Sequence, residues 1–165
     1  MSRIVRARPL TAGAFAPFGQ VLAADGPPDR RINAGRCGRW HDRAALDFGA
    51  KTGGRAGISV FLAEPCRLPY DCDLLERHPE GSQAFIPMHA NPFLIVVAPD
   101  AGGVPGTPQA FVTDGAQGIN LSRGTWHGVL TPLSAPGLFA VVDRIGATAN
   151  LQEHHLRQPF RVVAD

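Results

Sequence analysis

The chain has 165 residues, of which 44% are hydrophobic and only 18% charged, and its net charge is +2 at neutral pH. This length suits one domain, residues 1–165, with a single sizeable core. Acidic and basic residues are mixed along the chain, which excludes the basic blocks typical of nucleic-acid and membrane-surface binding, so we expect a small-molecule partner.

Short apolar runs separated by 19 glycines and 15 prolines are typical of an all-β domain. The predicted strands are Phe18–Ala23, Gly57–Glu64, Leu74–His78, Gln83–Met88, Phe93–Ala98, Gln109–Val112, Gly118–Leu121, Gly124–Leu130, Leu138–Asp143 and Phe160–Val163. Weak helical signals predict one turn at Thr11–Phe15, with Thr11 as N-cap, and another helix at Arg43–Phe48. Many short strands with tight turns predict a sandwich or a barrel that encloses a pocket.

The cysteine content and the N-terminal residues predict a cytoplasmic protein. Cys37, Cys66 and Cys72 are odd in number and form no C-x-x-C pair, so we expect reduced thiols and no disulfide framework. Residues 1–20 lack the apolar segment of a signal peptide. No stretch approaches the ~20 apolar residues of a membrane span.

Polar residues at alternating positions point to a site. Side chains two apart on a strand share a face, so Glu76 and His78 point one way and Arg77 the other. The chain turns after His78, and Gln83 begins the next strand, from which it faces back toward His78. Such oxygen and imidazole groups are suitable ligands for a divalent first-row metal.

A second segment completes the predicted site. His127 shares a face with Thr125, while Trp126 faces away, and we expect Trp126 in outer-face packing or in a dimer contact. Two strand pairs with inward polar groups would gather four side chains around one point. These are Glu76, His78, Gln83 and His127.

The two segments resemble the cupin superfamily in their spacing. Glu76-x-His78, four residues and then Gln83 is similar to the first cupin motif, and Ser122-x-Gly124-x-x-His127 is similar to the second.

The residues themselves resemble the ureidoglycolate lyase family. The matching blocks are Glu76-Arg77-His78-Pro79-x-Gly81-Ser82-Gln83-Ala84-Phe85-Ile86-Pro87-Met88, Phe15-x-x-Phe18-Gly19, Ile32-Asn33-x-Gly35, Thr113-Asp114-Gly115-x-Gln117-Gly118-x-Asn120, Arg123-Gly124-x-Trp126-His127 and Asp143-Arg144. The chain departs from the family at Leu121-Ser122, where Tyr-His is usual, and at Gly128, where a second His is usual.

The resemblance implies a cupin-like jelly-roll β-barrel with a few short helices, which splits ureidoglycolate into glyoxylate and urea in allantoin degradation. It implies a homodimer that pairs through an exposed edge strand. It also implies a divalent metal, possibly nickel, with zinc or manganese as alternatives, and metal-free catalysis stays open. The metal ligands would be His78, Gln83 and His127, with Glu76 as the fourth.

Glu76, His78 and His127 are the candidate catalytic residues, with Glu76 as general base or proton shuttle if it is not a ligand. The alternative for Glu76 is an ion pair with an arginine at the rim. The candidates for substrate binding are Arg144, Arg123 and Arg77 for the carboxylate, and Ser82 and Asn33 for the ureido carbonyl.

Two other functions remain open at this point, because one barrel hosts many chemistries. The chain is either an enzyme or a non-catalytic cupin that binds a small carboxylate such as glyoxylate. If it is an enzyme, a related cupin reaction on another hydroxy acid is the alternative to the lyase.

Overall fold

The structure, a computed structural model, describes residues 3–165, and its regular secondary structure is almost entirely β-strand. A single α-helical turn, α1 (Ala12–Phe15), and a 3-10 turn (Ala50–Thr52) are the helical elements of that range. The strands are β1 (Arg3–Pro9), β2 (Gly19–Leu22), β3 (Arg30–Ile32), β4 (Cys37–Arg39), β5 (Arg55–Leu62), β6 (Tyr70–Arg77), β7 (Gln83–Pro87), β8 (Phe93–Ala98), β9 (Gln109–Val112), β10 (Gly118–Leu121), β11 (Trp126–His127), β12 (Thr131–Pro132), β13 (Leu138–Ile145) and β14 (Gln152–Ala164).

Six strands close into a barrel in the order β11-β6-β14-β1-β9-β8, because β8 pairs back onto β11. A five-stranded sheet, β2-β10-β7-β13-β5, forms the second layer, and β3 pairs with β4 in a separate hairpin. This architecture confirms the predicted cupin-like jelly roll.

Two apolar clusters use opposite faces of the barrel sheet. Phe93, Ile95 and Val97 of β8 belong to the first cluster, which fills the space between the two sheets. Leu94 and Val96 belong to the second cluster, on the other face of β8. The continuous apolar run of β8 is therefore buried on both sides, as predicted, because a strand sends alternate side chains to opposite faces.

Trp126 faces away from His127 as predicted, but it is neither on an outer face nor available to a partner. Its side chain is 2% exposed and packs in the second cluster. The indole Nε1 donates to Asp100 over 2.9 Å, and the Arg77 guanidinium stacks 4.5 Å above the ring. The indole nitrogen thus keeps a partner although it is buried.

The predicted helix at Arg43–Phe48 was wrong. Side chains from elsewhere take up its backbone N–H groups: Ala45 donates to Gln20 and Asp47 donates to Ser82. The helical turn after Thr11 is confirmed, since the Thr11 hydroxyl accepts the N–H of Ala14.

β1 was not among the predicted strands, and only the end of β14 was predicted. β1 runs parallel to both β14 and β9, and three of its seven residues are arginines, which interrupt any apolar pattern. β14 pairs with β6 along one edge and with β1 along the other. Both strands are stabilised by pairing with strands far away in the sequence, which completes the barrel. Such pairing cannot be predicted from the local β-propensity of either segment.

Within residues 3–165, neither helical segment has the length and apolar content needed to cross a bilayer. The three cysteines are free thiols: Cys37 is exposed, Cys66 half-buried and Cys72 buried.

Candidate functional site

The structure brings together three of the predicted site residues. The ligand atoms of Glu76, His78 and His127 all lie within 4.8 Å of one another, a group that could hold a metal ion. Glu76 of β6 lies directly opposite His127 of β11, and His78 follows β6 by one residue on the same face as Glu76. The two imidazole rings are 5.3 Å apart between centroids.

The backbone sets the tautomer of both histidines. The Nδ1 of His78 is 2.7 Å from the carbonyl oxygen of Asn150, and the Nδ1 of His127 is 2.9 Å from the carbonyl oxygen of Gly128. Because a carbonyl oxygen only accepts, each Nδ1 carries the proton, and each Nε2 keeps a free lone pair. Both Nε2 atoms are buried without a hydrogen-bond partner among residues 3–165. This is the arrangement that a metal-binding histidine needs.

Burial also sets the charge states of the group. It lowers the pKa of His127 to about 4, so this imidazole is neutral at neutral pH. Burial raises the pKa of the Glu76 carboxyl, His78 opposes that rise, and Glu153, directly across from Glu76 on β14, adds to it. The site therefore combines a neutral imidazole with a carboxyl that holds its proton more firmly than an exposed glutamate does.

Gln83 adds an oxygen, and Asp143 is a site residue that the sequence reasoning missed. The Gln83 Nε2 donates to the Asp143 carboxylate over 3.2 Å, which leaves the buried Oε1 of Gln83 as an acceptor without a partner in the described chain. In β13, Asp143 continues the inward face of Phe139 and Val141. The alternation of inward-facing positions along β13, at Phe139, Val141 and Asp143, was the sequence signal that could have identified Asp143.

Asn150 is a second missed residue. Its carbonyl oxygen orients His78, and its side-chain Oδ1 accepts the backbone N–H of Glu80 over 2.7 Å. One residue therefore fixes both the histidine and the turn that follows it.

Arg144 lies near the end of β13, and its side chain contacts the loops around the site. Its side chain is 1% exposed, its Nη2 is 3.1 Å from the Glu80 carboxylate, and the same nitrogen donates to the hydroxyls of Thr52 and Thr148. A Cβ added at Gly146 would come within 2.5 Å of the guanidinium, so a side chain at this position would displace it. These contacts favour a role in holding three loops together, and binding of the substrate carboxylate stays a prediction.

The other two candidate arginines are also paired with acids. The Arg123 Nε donates to the carbonyl of Pro79 over 2.6 Å, and its Nη1 is 3.5 Å from Asp47. Arg77 faces away from the triad, as predicted, with its Nη1 2.7 Å from Asp100.

Ser82 and Asn33 lie in different surroundings. Ser82 is 1% exposed, and its hydroxyl accepts the N–H of Asp47 over 2.8 Å. Asn33 is exposed in the turn of the β3–β4 hairpin, with a φ of 53°, and this hairpin pairs with neither large sheet. The structure thus brings Ser82, but not Asn33, into the loops that support the site.

A jelly-roll barrel with two histidines and a carboxylate between its sheets is a cupin-type protein with a candidate metal centre. The ureidoglycolate lyase family matches residues 2–163, and the chain belongs to this family. It is 60% identical over 154 residues to the ureidoglycolate lyase of Rhodobacter capsulatus, covering 93% of this chain and 94% of that protein. It is 47% identical over 155 residues to ureidoglycolate lyase 2 of Rhizobium meliloti, covering 94% of each. It is 44% identical over 160 residues to the ureidoglycolate lyase of a Chelativorans species, covering 97% and 96%.

The departure at Gly128 lies outside the triad. A Cβ at this position would be 3.3 Å from Val96 and 3.7 Å from Cys72, on the side of the second cluster. The Cβ of a histidine at position 128 would point to the side opposite His127. The presence of glycine there therefore takes no ligand away from the group of Glu76, His78 and His127.

Replacing Arg144 with alanine should lower the free energy of unfolding by about 3 kcal/mol, because it leaves the partly buried Glu80 carboxylate without its cation. Urea denaturation followed by far-UV circular dichroism measures this. Arg55→Ala, at an exposed position of β5, is the control and should change stability by less than about 0.5 kcal/mol. Wild-type stability together with a raised KM in Arg144→Ala would instead support substrate binding by Arg144.

Proposed function

We propose that this protein is a ureidoglycolate lyase, which cleaves the carbon–nitrogen bond of ureidoglycolate to give glyoxylate and urea in allantoin degradation. Family membership supports the reaction. The observation that carries the proposal is the pair of histidines whose buried Nε2 atoms have no partner in residues 3–165, beside the half-buried carboxyl of Glu76.

The reaction needs two proton transfers and no co-reactant. One carbon of the substrate carries a carboxylate, a hydroxyl and the ureido nitrogen. When the hydroxyl loses its proton, its oxygen forms the carbonyl of glyoxylate, and the carbon–nitrogen bond breaks with its electron pair going to nitrogen. The nitrogen then takes up a proton and leaves as urea. A single group that accepts the first proton and returns the second would serve both steps.

Glu76 is our candidate for that group. The carboxyl of Glu76 lies beside both histidines, and burial raises its pKa. A raised pKa makes the carboxylate a stronger base for the first proton and keeps that proton bound until the nitrogen takes it up. The backbone carbonyls of Asn150 and Gly128 fix the orientation of the two imidazoles, and burial lowers the pKa of His127 so that this ring is neutral. We assign both histidines to binding and orientation.

The residues fit a divalent metal ion. The Nε2 atoms of His78 and His127 and the Oε1 of Gln83 are buried and without partners in residues 3–165, and Glu76 adds a carboxylate. This mixed nitrogen and oxygen set suits nickel, with zinc or manganese as alternatives. When bound, such an ion supplies Lewis-acid stabilisation of negative charge on the substrate oxygens.

Urea release from ureidoglycolate should fall after chelation and return when one of nickel, manganese or zinc is added back. Purified protein is assayed before chelation, after chelation and with each ion separately. Activity unaffected by complete metal removal would keep the lyase but place the chemistry on Glu76 and the arginines. Absence of turnover in every metal form, with glyoxylate binding retained, would favour the non-catalytic carboxylate-binding alternative. Turnover of a different hydroxy acid would favour the related enzyme.

Glu76→Gln should lower kcat by about 10²–10⁴-fold, because the amide cannot accept the hydroxyl proton while the fold is kept. The matched control is Glu64→Gln, an exposed glutamate outside the site, which should keep wild-type kcat. Single-turnover urea release measures the effect. A Glu76→Gln protein with full turnover would remove Glu76 from this role.

We also propose that the protein is a homodimer that pairs through the β5 face, defined as Ile58, Val60 and Leu62. These side chains are 77%, 66% and 75% exposed, on the edge strand of the five-stranded sheet. Ile86 and Met88, which are 40% and 55% exposed, add apolar surface nearby. Apolar surface of this extent next to an unpaired strand edge is typical of association with another chain.

Val60→Asp should shift the protein from a dimer to a monomer of 17.5 kDa, because it buries a carboxylate in the apolar interface. Analytical ultracentrifugation measures the mass. Val104→Asp, at a 45% exposed valine of the loop before β9, is the control and should remain dimeric. If the wild-type protein sediments as a monomer, the β5 face is not a dimer interface.

We place the protein in the cytoplasm. The three free thiols suit a reducing compartment, where disulfides do not persist. The substrate is a small metabolite, which also suits this location.

A further inference from the structure

The carboxylate of Asp143 has few partners in its own chain. It accepts a hydrogen bond from the Nε2 of Gln83 over 3.2 Å, and it belongs to none of the ion pairs among residues 3–165. An ionised carboxylate can accept about four hydrogen bonds. Most of the acceptor capacity of Asp143 is therefore available to donors from outside the described chain.

The position opposite Asp143 in the sheet supplies no donor side chain. Gly57 of β5 pairs directly with Asp143, and a Cβ at this glycine would collide with Ile145. Ile145, two residues beyond Asp143 on β13, faces the same side of the sheet and covers Gly57. The carboxylate thus has apolar surroundings on the β5 side, and these strengthen the hydrogen bonds that it accepts.

Asp143 lies beside the proposed metal ligands without being one of them. The group of Glu76, His78 and His127, whose ligand atoms all lie within 4.8 Å of one another, does not include it. The link between Asp143 and the group is Gln83, which donates to Asp143 with its nitrogen and keeps its buried Oε1 without a partner in the described chain. A small substrate held at the group has Asp143 as a near neighbour.

The ureido group of ureidoglycolate is rich in hydrogen-bond donors. It carries N–H bonds on both nitrogens, and one from each nitrogen can point in parallel toward the two oxygens of a single carboxylate. Paired donors of this kind bind a carboxylate through two parallel hydrogen bonds, as a guanidinium does. Recognition of the ureido group therefore calls for an acidic side chain that is not already paired with a cation.

Asp143 meets this requirement better than the other two acids beside the site. Glu76 is our candidate for the proton transfers, and its pKa is raised by burial. Glu153, directly across from Glu76 on β14, is exposed, where water competes for its oxygens. Asp143 is half-buried and keeps free acceptor capacity.

We propose that Asp143 is a specificity-determining residue, which recognises the ureido group of the substrate by accepting N–H hydrogen bonds from both of its nitrogens. This inference rests on the proposed lyase activity. With the carboxylate and hydroxyl oxygens held at the group of Glu76, His78 and His127, a bond to Asp143 at the other end fixes the scissile carbon–nitrogen bond between two anchors. A hydroxy acid without a ureido group leaves Asp143 without these donors and binds more weakly.

Two analogues that lack the substrate hydroxyl, and are therefore not cleaved, test this recognition by isothermal titration calorimetry. N-carbamoylglycine keeps the ureido group, whereas N-acetylglycine has a methyl group in place of its terminal NH₂. Wild-type protein of measured metal content should bind N-carbamoylglycine about tenfold to a hundredfold more tightly, as expected for one hydrogen bond to a charged group. In Asp143→Asn this preference should disappear, because the new amide has one acceptor oxygen and turns its own N–H donors toward the ureido group.

A role of Asp143 solely in orienting Gln83 gives a different result. Asp143→Asn would then lower the metal content and weaken both analogues equally, and the ratio of their dissociation constants would stay at the wild-type value. That outcome would overturn the proposal, and so would a wild-type protein that does not distinguish the two analogues.

The matched control is Asp73→Asn, at an exposed aspartate of β6 outside the ion pairs of residues 3–165, which should keep the wild-type ratio. Failure of the lyase assignment is distinguishable, because the wild-type protein would then release no urea from ureidoglycolate, whereas analogue binding is measured without turnover.

Discussion

The two-residue strand β11 lies between β6 and β8, and its hydrogen bonds to both close the barrel. Because side chains alternate, the same strand sends Trp126 into the second cluster and His127 toward Glu76. Asp100 accepts hydrogen bonds from Trp126 and Arg77, which ties β11 to β6 from the side opposite the triad. The same two-residue strand therefore closes the barrel and places His127 in the site.

The site concentrates polar atoms that folding alone leaves without partners. A buried acceptor without a partner costs about 1–3 kcal/mol, and His78, His127 and Gln83 each contribute one in the described chain. The surrounding structure stabilises this arrangement through bonds to the other end of each side chain, from Asn150, Gly128 and Asp143. A ligand that satisfies all three acceptors would add binding energy to the stability of the fold.

The triad was predictable because its residues lie on short strands whose alternation is local. Glu76, His78 and His127 share a face for reasons visible within a few residues, and β8 shows its burial in an unbroken apolar run. Asn150 was not predictable as a site residue, because it contributes a backbone carbonyl, which every residue type possesses. The surroundings of Arg144 depend on loops far apart in sequence. The two edges of β14 depend on β1, at the start of the chain, and on β6, in its middle. Such contacts leave no periodic trace in the sequence.

Gly146 lies against the guanidinium of Arg144, where an added Cβ would come within 2.5 Å of the Nη1 atom. A side chain at position 146 would therefore displace the guanidinium and weaken its bonds to Glu80 and Thr148. A substitution at an exposed position would thus be transmitted through one buried cation to the turn that follows His78.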